Sequence, residues 1–403
     1  MQTPGGKRAP ARGRANAPTD TSRPRGPRRA PRPERESPAP LRLVPGLYSA
    51  YTQPGFEVIA ANEIAARIAG AREVARRSIP DRAGVTIFSA RNAADALARL
   101  RTTEDIFTVA GYRAGLGIEP PTLDKVRGVS RDAPFVEAAL HDRATMTPGS
   151  RAGRRLRYRV VARLVGDHQF RRVDLQHAVE RGIAEREDHT WRLDEEADVE
   201  FWATMNAGEL VLEVRLTDER MRHREYKAAH RIAALRPSVA GALAWLSEPE
   251  ESDVVLDPFC GTGTILIERA HLGRYAMLYG SDRDPAALEA ARANVGPRYK
   301  PIQLERWDAA ALPIEPASVS KIVTNLPWGK TYGTHGENRR LYPKWFAEFS
   351  RVLRKDGRVV ALTSEWRLMR ELEERGIFKA DKVFRVSILG ASAAVYVGRN
   401  RAQ

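Results

Sequence analysis

Residues 254–263 read VVLDPFCGTG, and this stretch restricts the fold more tightly than any other in the chain. A short apolar run ends on an acid, Asp257, then turns through Gly261 and Gly263 into a helical run that begins at Thr264. A strand that delivers its carboxyl end to a glycine turn and a helix is the opening unit of a doubly wound α/β sheet. The glycines let the turn's backbone pass close to a nucleotide-type cofactor. Further strands are expected at Ala276–Ser281, Ile302–Arg306, Lys321–Thr324 and Arg358–Thr363, after a first at Asp253–Leu256. Asp284 followed by Pro285 marks a helix start, an acid at the N-cap with proline in the first turn. The chain closes with KVFRVSIL and AAVYVGR across a short glycine-containing turn, so these two strands must be antiparallel.

About sixty residues after the glycine turn, residues 322–329 read IVTNLPWG. Here an apolar strand ends in Asn325, Leu326, Pro327 and Trp328. The Asn325 amide and the Leu326 carbonyl, aimed the same way, make two acceptors for one NH2 group, and Trp328 can stack on the base that carries it. Together the two motifs imply methylation of an amino group on a nucleobase, with S-adenosylmethionine as the methyl source. As the methyl transfers, the amine nitrogen becomes cationic and loses a proton, so fixed acceptors beside it stabilise that charge and no strong base is needed. Inside a paired stem the amine is reached only by extruding the nucleotide. Cys260 is the single cysteine; with no His or Asp placed to activate it, it reads as a small packed loop residue. It excludes an intrachain disulfide, and the eight histidines show no zinc-ligand spacing, so no metal site is expected.

Lys and Arg number 66 against 51 Asp and Glu, a net +15 with pI near 10.1, which favours a polyanionic partner and above all nucleic acid. Residues 1–40 carry ten basic and three acidic side chains and nine of the 26 prolines, with almost no large apolar residue. Such a segment cannot bury a core and is expected to be a disordered tail. It lacks the apolar region of a secretory signal, and no apolar run reaches the ~18 residues that span a bilayer, so a cytoplasmic protein without membrane contact is expected. From 41 to 115 the pattern reads strand, helix, strand, helix, strand (LYSAYT, FEVIAANEIAARI, GVTIFSA, ADALARLR, DIFTVAGY). Residues 116–150 read as a linker with some helix, and a second α+β unit resumes at Arg157 with YRVVARLV, a helix from about Val173 to Ile183, and the strands TWRL, VEFWATMN and ELVLEVRLT. The segment 221–236 is a basic linker, in which Arg220, just before it, and Arg222, Arg224, Lys227 and Arg231 form either a phosphate-binding run or a solvated helix face.

These residues resemble the THUMP-domain guanine-N2 methyltransferases, which act on RNA. DPFCGTGTILIERA and GSDRDPAALEAARANV look like the first two cofactor motifs of that family, and NLPWG like its Asn/Asp-Pro-Pro-aromatic motif, with Leu326 where proline is commonest. The resemblance is specific over roughly 225–330 and architectural before it. It implies a class I methyltransferase sheet over 237–403, a ferredoxin-like domain over 41–115 and an RNA-binding THUMP domain over 116–220. It also implies S-adenosylmethionine as cofactor, held by Asp257, Phe259, Gly261, Thr262, Gly263, Thr264, Asp282, Asp308 and Asn325. Asp282, about 20 residues past the glycine turn, stands where a carboxylate accepts ribose hydroxyls. Asp308 matches the residue near the adenine amino group. The expected reaction is N2-methylation of a guanosine in tRNA, at position 6 of the acceptor stem, by a monomer. Ribosomal RNA is the alternative substrate. N6-adenine methylation of DNA would require a duplex-reading domain in place of 41–220, and an inactive RNA-binding relative would have lost Asp257, Gly263, Asp282 or Asn325, all of which remain.

Overall fold

The computed structural model describes residues 39–400 apart from 81, 148–152, 154, 230, 232, 233 and 330–332; the expected tail therefore lies outside the described residues, except for its last two. Among the described residues, fifteen strands fall into two sheets. The first contains β1 (Leu47–Thr52), β2 (Arg72–Ile79), β3 (Ala83–Ser89), β4 (Asp105–Arg113), β5 (Arg155–Val165), β6 (Thr190–Leu193), β7 (Val199–Asn206) and β8 (Glu209–Arg215). Their order is β2-β3-β1-β4-β8-β7-β5-β6, so the two α+β units expected on either side of residue 116 share one continuous sheet through the antiparallel β4–β8 pair. Helices Thr122–Arg131 and Val136–Met146 occupy the segment expected to be a linker, and ADALARLR supplies only the short helix Ala94–Leu97.

The second sheet contains β9 (Val254–Asp257), β10 (Met277–Ser281), β11 (Ile302–Glu305), β12 (Val319–Asn325), β13 (Leu353–Thr363), β14 (Ala380–Ile388) and β15 (Ala391–Arg399), in the order β11-β10-β9-β12-β13-β15-β14. β9 to β13 pair in parallel and β15 runs antiparallel to both neighbours, as the tight final turn requires. Parallel strands present all their carboxyl ends on one edge, and the strand order reverses direction between β9 and β12, which places a ligand crevice there. One face of the sheet is covered by the helix Pro237–Leu246 together with Phe56 and Ile59 from the first sheet's side; the other is covered by the helices His335–Val352 and Trp366–Glu374. Gly55 allows the close approach of the two halves: at φ +93°, a Cβ there would meet the Arg385 carbonyl oxygen at 2.3 Å.

Candidate active site

β9 and β12 are neighbours in register (Lys321 beside Val255, Ile322 beside Leu256), and their carboxyl ends carry Asp257 and Asn325. Asp257 is buried, 1% exposed. Its Oδ1 accepts the Thr324 hydroxyl at 2.8 Å and the Phe259 N–H at 3.2 Å, whereas its Oδ2 has no hydrogen-bond partner among the described residues. Burial pushes this carboxyl up to about 7, against the bonds from Thr324 and Phe259, and the nearby Asp282 charge adds to the rise. The chain then turns at Gly263, whose φ of +77° suits glycine, into the helix Thr264–His271. Thr262 and Thr264 are buried and their hydroxyls bond each other at 3.1 Å, so the loop offers its backbone to a ligand rather than these side chains. Phe259 packs edge-on against Trp345, with ring centroids 4.7 Å apart. A Cβ on Gly261 would meet nothing within 4 Å, so the space above the loop is open.

Asp282, just past the end of β10, accepts the Gly261 N–H at 3.0 Å through one oxygen and the Asp284 N–H at 3.0 Å through the other. It therefore ties the glycine loop to the second strand and keeps lone pairs for further donors. Asp308 follows β11 on the same edge, exposed, with Oδ1 capping its own turn through the Ala310 N–H at 3.0 Å. Cys260 is buried; burial first, then the Asp257 and Asp282 charges, push its thiol well above the ordinary range, which rules it out as a nucleophile.

The second motif forms a fixed loop. Leu326 N–H donates to the Leu362 carbonyl at 3.0 Å, and the Pro327 carbonyl accepts from Asn338 Nδ2 at 3.0 Å and the Tyr342 hydroxyl at 2.9 Å. Asn338 also donates to Glu365, which in turn holds His335 at 2.7 Å. None of these positioning residues was legible as such, although the Thr334–Glu337 capping box does mark the helix that carries Asn338 and Tyr342. One bond was not expected: Trp328 Nε1 donates to Asn325 Oδ1 at 3.0 Å, so the two residues assigned to the target base also hold each other.

The basic run departs from expectation. Arg224 is buried, donates to the Leu100 carbonyl at 3.2 Å and lies 4.0 Å from Glu268; it is a structural cation and unavailable to phosphate on the surface. Arg222 is paired with Asp105, Lys227 donates to the Leu235 carbonyl at 2.8 Å, and Arg231 pairs with Asp284 at 2.5 Å. Arg220 is half-exposed beside Asp218. Among the described residues, Glu137, Asp188 and His189 bring three possible metal-ligand atoms within 4.8 Å of one another, but Asp188 is already engaged by Arg186 and Trp191.

A parallel sheet in this order, with an antiparallel β15 and an acid, a glycine loop and an Asn-Leu-Pro-Trp loop on its carboxyl edge, defines a class I methyltransferase. Residues 224–393 match the RMKL-like methyltransferase domain. The match covers 170 of the 403 residues, and with the relatives that follow it bears out the resemblance to THUMP-domain guanine-N2 methyltransferases. The chain is 33% identical over 239 residues to the tRNA (guanine(6)-N(2))-methyltransferase THUMP3 of Mus musculus, covering 55% of this chain and 47% of that protein. It is 32% identical over 208 residues to the tRNA (guanine(6)-N2)-methyltransferase of Thermus thermophilus, covering 51% of this chain and 62% of that one. The chain thus spans about half the length of the mammalian relatives it matches. The crystal structure of TrmN from Thermus thermophilus superposes with a TM-score of 0.71 at 26% identity, over 88% of this chain and 99% of that one.

Proposed function

We propose that the protein uses S-adenosylmethionine to form N2-methylguanosine in tRNA, at position 6 of the acceptor stem. The observation that carries this reading is the placement of Asp257 and Asn325 on adjacent strand ends, joined through Thr324, with Asp282 one strand further on. The residues fit the cofactor: an unpartnered carboxylate oxygen buried at Asp257 is costly unless a donor such as the cofactor's ammonium group reaches it, and Asp282 suits ribose hydroxyls. When bound, S-adenosylmethionine supplies the methyl group. Asn325 Oδ1, with one lone pair spent on Trp328, has its other for the guanine amine, and the Leu326 carbonyl is the second acceptor. The relatives named as acting on guanine N2 include tRNA enzymes and a U6 snRNA enzyme, so the chemistry is their common element and tRNA is the substrate most of them share. On this reading 41–115 is the ferredoxin-like domain, 116–220 the THUMP domain that grips RNA, and the site of action the cytoplasm, where tRNA is at hand. Among the described residues no helix is long and apolar enough to cross a membrane.

Nucleoside mass spectrometry of RNA fractions from a deletion strain tests the proposal. Loss of N2-methylguanosine from tRNA at position 6, restored by the wild-type gene and not by Asn325→Ala, is the expected result. An unchanged tRNA profile with loss from ribosomal RNA would reassign the substrate, and no change in either would overturn the reading.

A further inference from the structure

A cleft of about 300 Å³ opens where the first sheet's side meets the catalytic domain, at the carboxyl end of the helix Thr264–His271. At 1.5 Å per residue it lies roughly 12 Å along that helix from the glycine loop. Under it, Arg101 donates to both oxygens of the buried Glu268 at 2.7 and 2.9 Å, the Tyr226 hydroxyl donates to the same carboxylate at 2.6 Å, and Arg224 stands 4.0 Å away. A second buried carboxylate, Glu63, accepts the Arg101 backbone N–H at 3.0 Å, so the floor sets its guanidinium groups against buried acids and the cation open to a phosphate is Arg298. One wall is aromatic: the His271 ring lies 6.1 Å from that of Tyr226 and 5.3 Å from that of Tyr299, with His271 Nε2 2.9 Å from the Tyr299 hydroxyl. Burial, then the Arg101 charge, pushes His271 down to about 4, so the wall is neutral at physiological pH. Arg298 stands exposed at the rim. Asp218 and Glu225 also line the cleft, but Arg220 pairs with the first and lies 4.0 Å from the second.

We propose that this cleft holds one unpaired nucleotide of the RNA substrate, its base stacked on the Tyr299–His271 wall and its phosphate drawn by Arg298 at the rim. The inference rests on the proposed function and adds a second RNA-holding point away from the methyl-transfer edge. The volume sits at the lower end of small-molecule sites and the cleft lies at a junction between structural units, where such sites concentrate. Aromatic faces accept any base, and an exposed cation at the rim favours the phosphate that accompanies it.

RNA binding to the full chain without cofactor, measured with an unmodified tRNA transcript over a range of salt, tests this. Tyr299→Ala should weaken binding about tenfold, within the range of one lost stacking contact, and Tyr299→Phe should restore it. Arg298→Ala should lower the slope of log affinity against log salt by about 0.7, one phosphate's share on a single strand. Both variants should keep wild-type affinity for S-adenosylmethionine. Wild-type RNA binding with unchanged affinity in Tyr299→Ala and unchanged slope in Arg298→Ala would overturn the cleft and leave the methyltransferase reading standing. Failure of the wild type to bind RNA would overturn both.

Discussion

A carboxyl group whose folded-state pKa is raised costs stability once it ionises, and Asp257 is such a group. Its pKa rises from 3.8 to about 7, so between those values the folded protein binds more protons than the unfolded chain, and stability falls as pH climbs from 4 to 7. The loss is about 4 kcal/mol for the ligand-free protein. Asp257→Asn keeps an oxygen for Thr324 and Phe259 and removes the charge, so it should raise the melting temperature at pH 8 and flatten the decline, while weakening S-adenosylmethionine binding. Thermal melts from pH 4 to 8 check this; an identical decline in the variant would remove Asp257 as its source. Asn325 makes the complementary case on the reacting side. Removing one preorganised acceptor beside developing charge typically costs about 100-fold, so Asn325→Ala should slow single-turnover methylation by about that factor with cofactor affinity nearly unchanged. A near wild-type single-turnover rate would sink its role as amine acceptor.

The loop after β12 is only as rigid as the helix beside it. Asn338 and Tyr342, one turn apart on His335–Val352, hold the Pro327 carbonyl, and the Tyr342 hydroxyl also meets Thr363 Oγ1 at 2.7 Å. Tyr342→Phe empties a buried polar position at a cost of about 1–3 kcal/mol and leaves Pro327 to Asn338 alone. The methylation rate should drop about tenfold at saturating RNA while cofactor affinity holds; a tenfold loss of cofactor affinity instead would place Tyr342 in the cofactor site. The central parallel strands β9 and β12 were legible because each carries an apolar run ending in an acid or an amide, a pattern that burial on both faces enforces. β2 was not: REVARRSI is mostly exposed and polar, and it is a strand because it adds to the edge of the sheet beside β3. The helix of Asn338 was hidden by Pro343 inside it. Sequence adjacency also grouped Arg224 with surface cations, because its partner Glu268 becomes a neighbour only when the two halves fold together.

That partnership reaches across the whole molecule. Arg101, from the loop before β4, and Arg224, from the segment after β8, converge on Glu268 in the catalytic helix Thr264–His271, and Gly241 packs so tightly on residue 101 that a Cβ would meet its carbonyl oxygen at 2.5 Å. A buried carboxylate shared by two guanidinium groups and a tyrosine hydroxyl is worth little against an apolar core of the same shape, yet removing its charge breaks the Arg101 pair and leaves two cations beside the one remaining acid, Glu63. Glu268→Gln keeps the volume and one acceptor but leaves Glu63 as the one buried carboxylate described beside Arg101 and Arg224, at an expected cost of about 3–5 kcal/mol. Because that cost falls on the contact between the halves, the wild type should unfold in one transition, and the variant in two, the part built on the first sheet and the catalytic part separating. Calorimetry with near-ultraviolet circular dichroism distinguishes the outcomes. A variant that melts lower but still in a single transition would show that the apolar contacts of Phe56, Ile59 and the helix Pro237–Leu246 couple the halves without the ion cluster. A variant as stable as the wild type would show that Glu63 and rearranged side chains suffice for the two arginines, and would remove Glu268 as the link between the part built on the first sheet and the catalytic part.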